Sequence, residues 1–85
     1  MKEAELNRLR WRSRRGLLEL DLLLVPFFDE EFRSLDPKCQ EAYVLLLEEE
    51  DPDLLSWISQ KSKPKNPQFD ALIQKMLKRV QPASE

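Results

Sequence analysis

The residues best suited to chemistry at a surface are concentrated in residues 11–21, which read WRSRRGLLELD. Tryptophan and arginine dominate binding hot spots, and the planar guanidinium group pairs well with phosphates and carboxylates. At about 100° per residue, four side chains fall on one face of a first helix, away from its leucines: Arg8, Trp11, Arg12 and Arg15. The pattern predicts a binding surface. The alternative is that Trp11 folds back over the edge of the protein and the arginines are merely solvated.

Gly16 is the only glycine of the chain. A glycine inside a helix costs about 0.5–1 kcal/mol relative to alanine, so this position should need a positive φ, a bend or a close approach of the backbone. We predict that Gly16 ends the first helix in a left-handed conformation and turns the chain into the second helix. Glu19 should face the same bend, where it stabilises the second helix dipole or pairs with Arg12 or Arg15.

The composition excludes several kinds of site. The chain has one cysteine and no histidine, so it offers no disulfide framework and no zinc or haem ligand set. Cys39 is expected to be a small, half-buried helix residue. A single glycine rules out the G-x-G-x-x-G fingerprint of a dinucleotide-binding fold. Only scattered carboxylates remain as candidate catalytic groups, and we therefore predict no enzyme activity.

The charge is divided into blocks, although the net charge is only −2. Residues 1–15 carry six bases against two acids, residues 16–53 carry two against twelve, and residues 54–85 carry six against two. This polarity favours a protein-interaction module over a nucleic-acid binder, since the acidic block would repel phosphates. A regulatory module of the antitoxin or nucleic-acid-binding type, using the basic first helix, is the alternative.

Helical periodicity and three helix starts define the secondary structure. Asp36-Pro37, Asp51-Pro52 and Asn66-Pro67 each place an N-cap residue before a proline in the first turn. Alternation typical of strands is missing from the sequence. We predict an all-α fold, a small five-helix bundle forming a single domain over residues 1–85. The expected helices span about 4–14, 17–33, 37–49, 52–60 and 67–80.

Further predictions concern the second and the third helix. The apolar residues of helix 17–33 keep one register through Pro26, which predicts a single helix kinked at that proline. Two helices broken at Pro26 remain the alternative. Helix 37–49 is apolar around much of its surface and is expected to be the central one.

The N-terminal segment, MKEAELNRLRWRSRR, has no apolar stretch typical of a signal peptide. The longest nearly apolar run, residues 22–28, is too short to cross a bilayer. We expect no membrane insertion and a cytoplasmic, reducing location.

The residues Arg15-Gly16-Leu17-Leu18-Glu19 match the RGxxE motif of the small flavinylation factors of succinate dehydrogenase, the SdhE family. The context is also similar: RWRSRRGLLELD, then PFF at 26–28, then DPDL at 51–54 and Trp57. The family also carries an antitoxin-like label, CptB. The resemblance implies a bacterial, cytoplasmic five-helix bundle that binds the flavoprotein subunit of succinate dehydrogenase, and also that of fumarate reductase. The resemblance also implies that the protein promotes covalent attachment of FAD to a histidine of that client.

The resemblance also assigns residues. Arg15, Gly16 and Glu19 carry over as the functional core, and the adjacent candidates are Trp11, Arg12 and Asp21. In DPDL, Asp51 is expected to cap a helix, with Leu54 and Trp57 in the core. The FAD belongs to the client, so we expect the chain, which lacks histidine, to hold no cofactor stably by itself. We expect it to be a monomer that does not bind nucleic acid.

Overall fold

The computed structural model describes residues 2–80 and consists of helices joined by short turns. The helices are α1 (Glu3–Ser13), α2 (Leu18–Glu31), α3 (Pro37–Leu46), α4 (Asp51–Ile58) and α5 (Pro67–Val80). A short 3-10 turn, Phe32–Ser34, extends α2. The predicted all-α, five-helix fold is confirmed. The predicted domain also takes in residues 1 and 81–85, which lie outside the described residues.

The α5 helix spans the predicted residues and α3 starts where predicted, whereas the other helix ends differ from the predicted ones by one to three residues. The regular part of α2 ends at Glu31 and not at 33, because the last turn tightens into the 3-10 form. The shift is largest in α3, which ends at Leu46 and not at 49. The α4 helix starts one residue earlier than expected and ends at Ile58.

Two of the three predicted N-caps are confirmed. The Asp36 carboxylate accepts a hydrogen bond from the Cys39 backbone N–H at 2.8 Å. The Asn66 side-chain oxygen accepts one from Gln68 N–H at 2.8 Å. The prediction for Asp51 is wrong. Glu50 occupies the N-cap position, and Asp51 lies in the first turn of α4, where its carboxylate binds a side chain from another part of the chain.

Pro26 lies inside a continuous α2, so the alternative of two helices broken there is wrong. The register across the proline is kept: the buried side chains follow one another at intervals of four residues, at Leu20, Leu24, Phe28 and Phe32. Core contacts on both sides of Pro26 therefore hold the two halves in phase, although proline removes one backbone hydrogen bond. The kink at Pro26 stays a prediction.

Two helices each pack against three others: α2 contacts α1, α4 and α5, and α5 contacts α2, α3 and α4. The expectation that α3 is central is therefore wrong. The α3 helix packs mainly against α5, and the side that it turns away from the core includes Leu45. The α3 helix contributes Ala42, Tyr43 and Leu46 to the core. The centroid of the Tyr43 ring lies 5.5 Å from that of Phe32 and 5.9 Å from that of Phe27.

Ion pairs tie α1 and α5 to the C-terminal end of α2. Arg10 of α1 binds Asp29 through Nε and Oδ1 at 2.7 Å, and this contact lowers the pKa of the Asp29 carboxyl. Arg79 of α5 binds both Glu30 and Glu31. Arg33, just after α2, binds Glu3 at the start of α1. Ion pairs therefore link α1 and α2 along the length of an antiparallel hairpin.

Within the part of the chain that the structure describes, no helix is both long enough and apolar enough to pass through a lipid bilayer.

Candidate functional site

The chain turns from α1 into α2 over residues 14–17, which we call the corner. Gly16 has a φ of +84°, as predicted, and is exposed. It lies further along than predicted: Ser13 is the last helical residue, Arg14 is the C-cap, and Gly16 follows two residues later. A Cβ atom at Gly16 would meet no other atom within 4 Å. The glycine is therefore needed for its backbone conformation, while the space in front of it is open.

Arg15 points inward from the corner, and only 15% of its side chain is exposed. Its Nη1 donates to the Leu47 carbonyl and its Nη2 to the Glu49 carbonyl, both at 2.7 Å. Its Nε donates to the Asp51 carboxylate, also at 2.7 Å. The guanidinium group thus satisfies the backbone between α3 and α4 and binds the first turn of α4. We call this set of contacts the Arg15 clamp.

The backbone of the corner is held as well. The Arg15 N–H donates to the Asp21 carboxylate at 2.7 Å, so a residue in the first turn of α2 fixes the segment that leads into this helix. Asp21, predicted as a partner-binding candidate, is half-buried and serves the corner itself.

A buried polar network anchors the end of α1 just before the corner. The Ser13 hydroxyl donates to the Leu9 carbonyl at 2.9 Å and lies 2.6 Å from the Tyr43 hydroxyl. The Tyr43 hydroxyl is also 3.4 Å from the Leu24 carbonyl. Burial raises the pKa of the Tyr43 phenol well above its usual value. The network therefore links α1, α2 and α3 through one neutral hydroxyl pair.

Trp11 is 72% exposed, so the alternative in which it folds back over the protein is wrong. Its nearest cation is Arg14, whose guanidinium carbon lies 5.9 Å from the ring centroid, within the range of a cation–π contact. Arg8 and Arg12 are exposed and line a shallow groove with Leu9 and Val44.

Glu19 is exposed in the first turn of α2. It borders an open groove of ≈ 500 Å³ whose apolar wall includes Leu55 and Ile58 of α4. The ion pair predicted between Glu19 and Arg12 or Arg15 is not among the ion pairs of residues 2–80, and Arg15 binds Asp51 instead.

The predicted face of α1 is therefore divided. Arg8, Trp11 and Arg12 lie on the exposed surface of the helix, whereas Arg15 has left the helix and points into the protein. Sequence reasoning did not find the contact of Arg14 with Trp11 or that of Asp51 with Arg15. Arg14 follows Trp11 by three residues, a spacing that marks helical neighbours and was available as a signal. The Arg15–Asp51 pair spans 36 residues, and no local pattern announces it.

Comparison with known proteins places the chain in a family. The model of the Sdh5 family, described as flavinator of succinate dehydrogenase, matches residues 7–80.

The chain belongs to the Sdh5 family.

Curated relatives agree with this assignment over nearly the whole chain. The chain is 44% identical over 82 residues to the FAD assembly factor SdhE of Pseudomonas putida, covering 96% of this chain and 98% of the relative. It is 46% identical over 80 residues to that of Pseudomonas aeruginosa, covering 94% and 95%. It is 41% identical over 70 residues to that of Vibrio cholerae, covering 82% and 81%. The resemblance inferred from the RGxxE motif is confirmed.

The structure shows how the motif of this Sdh5 family member is arranged. Its first residue, Arg15, points inward, whereas Gly16 and Glu19 are exposed to solvent. One half of the motif therefore shapes the corner, and the other half is available to a partner.

Proposed function

We propose that this chain is an assembly factor that binds the flavoprotein subunit of succinate dehydrogenase and promotes covalent attachment of FAD to it. Family membership supports this role, since the family is described as flavinator of succinate dehydrogenase and the relatives are named FAD assembly factors. The flavoprotein subunit of fumarate reductase is the second client that we propose. The chain contributes no catalytic step in this proposal and acts by contact.

The observation that carries the proposal is the open backbone at Gly16. A surface approaching the corner meets peptide groups directly, because nothing lies within 4 Å of the position a Cβ would take. The Arg15 clamp and the Asp21 hydrogen bond hold this backbone in one conformation before binding. A preorganised corner loses little conformational entropy when it docks.

The proposed mechanism is positional. With no histidine in the chain, the flavin-accepting residue must belong to the client. The corner docks near the FAD site of the client and holds the surrounding domains in the arrangement in which the bond forms. Orientation of the reacting groups and exclusion of water then supply the rate gain.

The test is covalent flavin incorporation in cells that lack this chain, measured by in-gel flavin fluorescence of the client subunit. Cells complemented with the unaltered chain should recover the fluorescence, and cells carrying Gly16→Arg should not. Gly16→Ala is the matched control, because it imposes the same strained φ without the long side chain. Immunoblots establish that all three proteins accumulate equally.

Full fluorescence with Gly16→Arg would show that the corner does not dock. Equal loss with Gly16→Ala and Gly16→Arg would show that the backbone conformation matters and that the open space does not.

Cellular location, oligomeric state and cofactor content are part of the same proposal. We propose that the chain acts as a cytoplasmic monomer on a protein client, without a cofactor of its own. The relatives described above are named FAD assembly factors, and none of them is named an antitoxin or a nucleic-acid-binding protein. Generic DNA or RNA should therefore not bind at low salt.

A further inference from the structure

Large hydrophobic side chains that remain exposed are concentrated beside the corner. Of the six found among residues 2–80, four lie within twelve consecutive residues. They are Trp11, Leu17, Leu18 and Leu22. Leu18 is 71% exposed and Leu22 is 60% exposed, and they stand one turn apart on α2. Single exposed leucines are ordinary, but a cluster of this kind marks an interaction surface.

The packing of α1 against α2 places these residues on one side of the hairpin. Arg10 binds Asp29, which fixes how the two helices face each other. Leu22 precedes Asp29 by seven residues, two helical turns, so the two share a face of α2. On α1, Trp11 and Arg14 line one groove together with Arg10. The same side of the hairpin therefore presents Trp11 with Arg14 on α1 and the two leucines on α2.

The arginines around this surface differ from the others in the described part of the chain. Four arginines are held in ion pairs: Arg10, Arg15, Arg33 and Arg79. Arg8, Arg12 and Arg14 are exposed and take part in none of the ion pairs found within residues 2–80. These three are the ones that flank Trp11. An apolar centre with a cationic rim is complementary to an apolar surface flanked by carboxylates.

We propose that Trp11, Leu18 and Leu22 form an apolar docking surface that binds an apolar, carboxylate-flanked surface of the flavoprotein subunit of succinate dehydrogenase. This inference rests on the proposed function and extends it from the backbone at Gly16 to a second, side-chain component. The aromatic ring and the two leucines supply the desolvated centre of the contact, and the three arginines supply its rim.

A second copy of the chain fits this surface less well. A symmetric dimer would place the surface against itself and bring two sets of unpaired guanidinium groups to one interface. Like charges at that range repel, so the charge pattern favours a partner of opposite sign.

The test compares L18Q/L22Q with L45Q. Glutamine keeps the helix propensity of leucine while removing its apolar surface. Leu45 is 52% exposed on α3, so L45Q removes a comparable exposed leucine outside the proposed surface. Affinity for the purified flavoprotein subunit from the same organism is measured by titration calorimetry, and the urea midpoint of each variant reports its folding. L18Q/L22Q should bind at least about tenfold more weakly than the unaltered chain, and L45Q should bind equally well.

The rim is tested with Arg14→Gln. This variant should bind more weakly at low salt, and its affinity should fall less with added salt than that of the unaltered chain. An affinity and salt dependence equal to those of the unaltered chain would show that the rim does not meet carboxylates.

Three results would overturn the inference and leave the proposed function intact. The first is unchanged affinity of L18Q/L22Q while Gly16→Arg abolishes binding. The second is equal loss in L18Q/L22Q and L45Q. The third is a loss of self-association, or of binding to vesicles of anionic phospholipid, in L18Q/L22Q with flavoprotein binding unchanged. If the unaltered chain does not bind the flavoprotein subunit at all, both the inference and the proposed function are wrong.

Discussion

The inner and outer sides of the α1–α2 corner are built from neighbouring residues but differ in almost every physical property. On the inner side, Arg15 is largely buried and its donors are satisfied by Leu47, Glu49 and Asp51. On the outer side, Trp11, Leu18 and Leu22 have most of their surface in solvent. Substitutions on the inner side should therefore change stability first, and those on the outer side should change binding alone.

This difference shows why a sequence motif is not a single functional unit. Arg15 and Gly16 are adjacent in the chain, yet one contacts the interior and the other meets open space. Loss of activity after a change at Arg15 does not by itself identify a partner contact. The following predictions separate the two sides.

The largest effect is expected for Arg15→Ala. It leaves the Leu47 and Glu49 carbonyls without their donor and Asp51 without its cation. The loss should be about 2–3 kcal/mol in the free energy of unfolding, measured by urea denaturation. Arg15→Lys keeps the charge but cannot bind Leu47, Glu49 and Asp51 at once. Its free energy of unfolding should therefore lie between those of Arg15→Ala and the unaltered chain. A wild-type urea midpoint for Arg15→Ala would remove the distinction between the two sides.

A smaller effect is expected for Gly16→Ala. The positive φ of Gly16 costs an L-residue about 1–2 kcal/mol, and no steric clash adds to it. Gly16→Asn should lose less, since asparagine tolerates this conformation better. Equal urea midpoints for the alanine and asparagine variants would show that the backbone conformation is not what requires glycine.

Tyr43→Phe should cost about 1 kcal/mol at neutral pH, because it removes the hydroxyl that binds Ser13. The cost should disappear above pH 10. The folded protein raises the pKa of Tyr43 above its ordinary value of 10.0, so the unfolded chain loses this proton first and unfolding becomes easier as the pH rises. Tyr43→Phe has no phenol to ionise, so its free energy of unfolding should not fall in this way. Relative to the unaltered chain, this free energy should rise by about 1.4 kcal/mol per pH unit above pH 10.

The measurement is unfolding by urea at pH 7 to 11 for both proteins. Tyr43 is the only tyrosine of the chain, so tyrosinate absorbance should appear together with unfolding. Tyrosinate absorbance in the folded protein near pH 10 would contradict the buried network.

The smallest effect on stability is expected for Trp11→Ala, within about 0.5 kcal/mol, because the side chain is mostly exposed. Its binding to the flavoprotein subunit should nevertheless be reduced. A large drop in the urea midpoint of Trp11→Ala would show that Trp11 contributes to stability as the inner residues do, and would contradict the distinction between the two sides.

Periodic and local features of the fold were predictable from the sequence, and long-range ones were not. The span of α5 and the caps at Asp36 and Asn66 depend on residues within a few positions of each other, and local physics determines them. The central positions of α2 and α5 were missed because several helices carry apolar faces, and periodicity cannot rank them. The role of Asp51 was misassigned because its partner comes from a distant part of the chain.

At the site, sequence reasoning found the segment but not the orientation of its side chains. Gly16 was recognisable because it is unique and glycine has a known conformational use. The exposed leucines of α2 were not separated from the buried ones, since a run such as LLELDLLLV is apolar on several faces. Only the positions of α1, α4 and α5 decide which of those leucines are covered.

The Arg15 clamp also has a consequence for the order of events during translation. The corner is encoded in the first fifth of the chain, but the groups that fix it are supplied by residues 47–51. A nascent chain that has not yet extended the second half of its sequence beyond the ribosome lacks the acceptors for the guanidinium group. Under the proposed function, the corner therefore becomes competent to engage a client only after residues 47–51 have emerged.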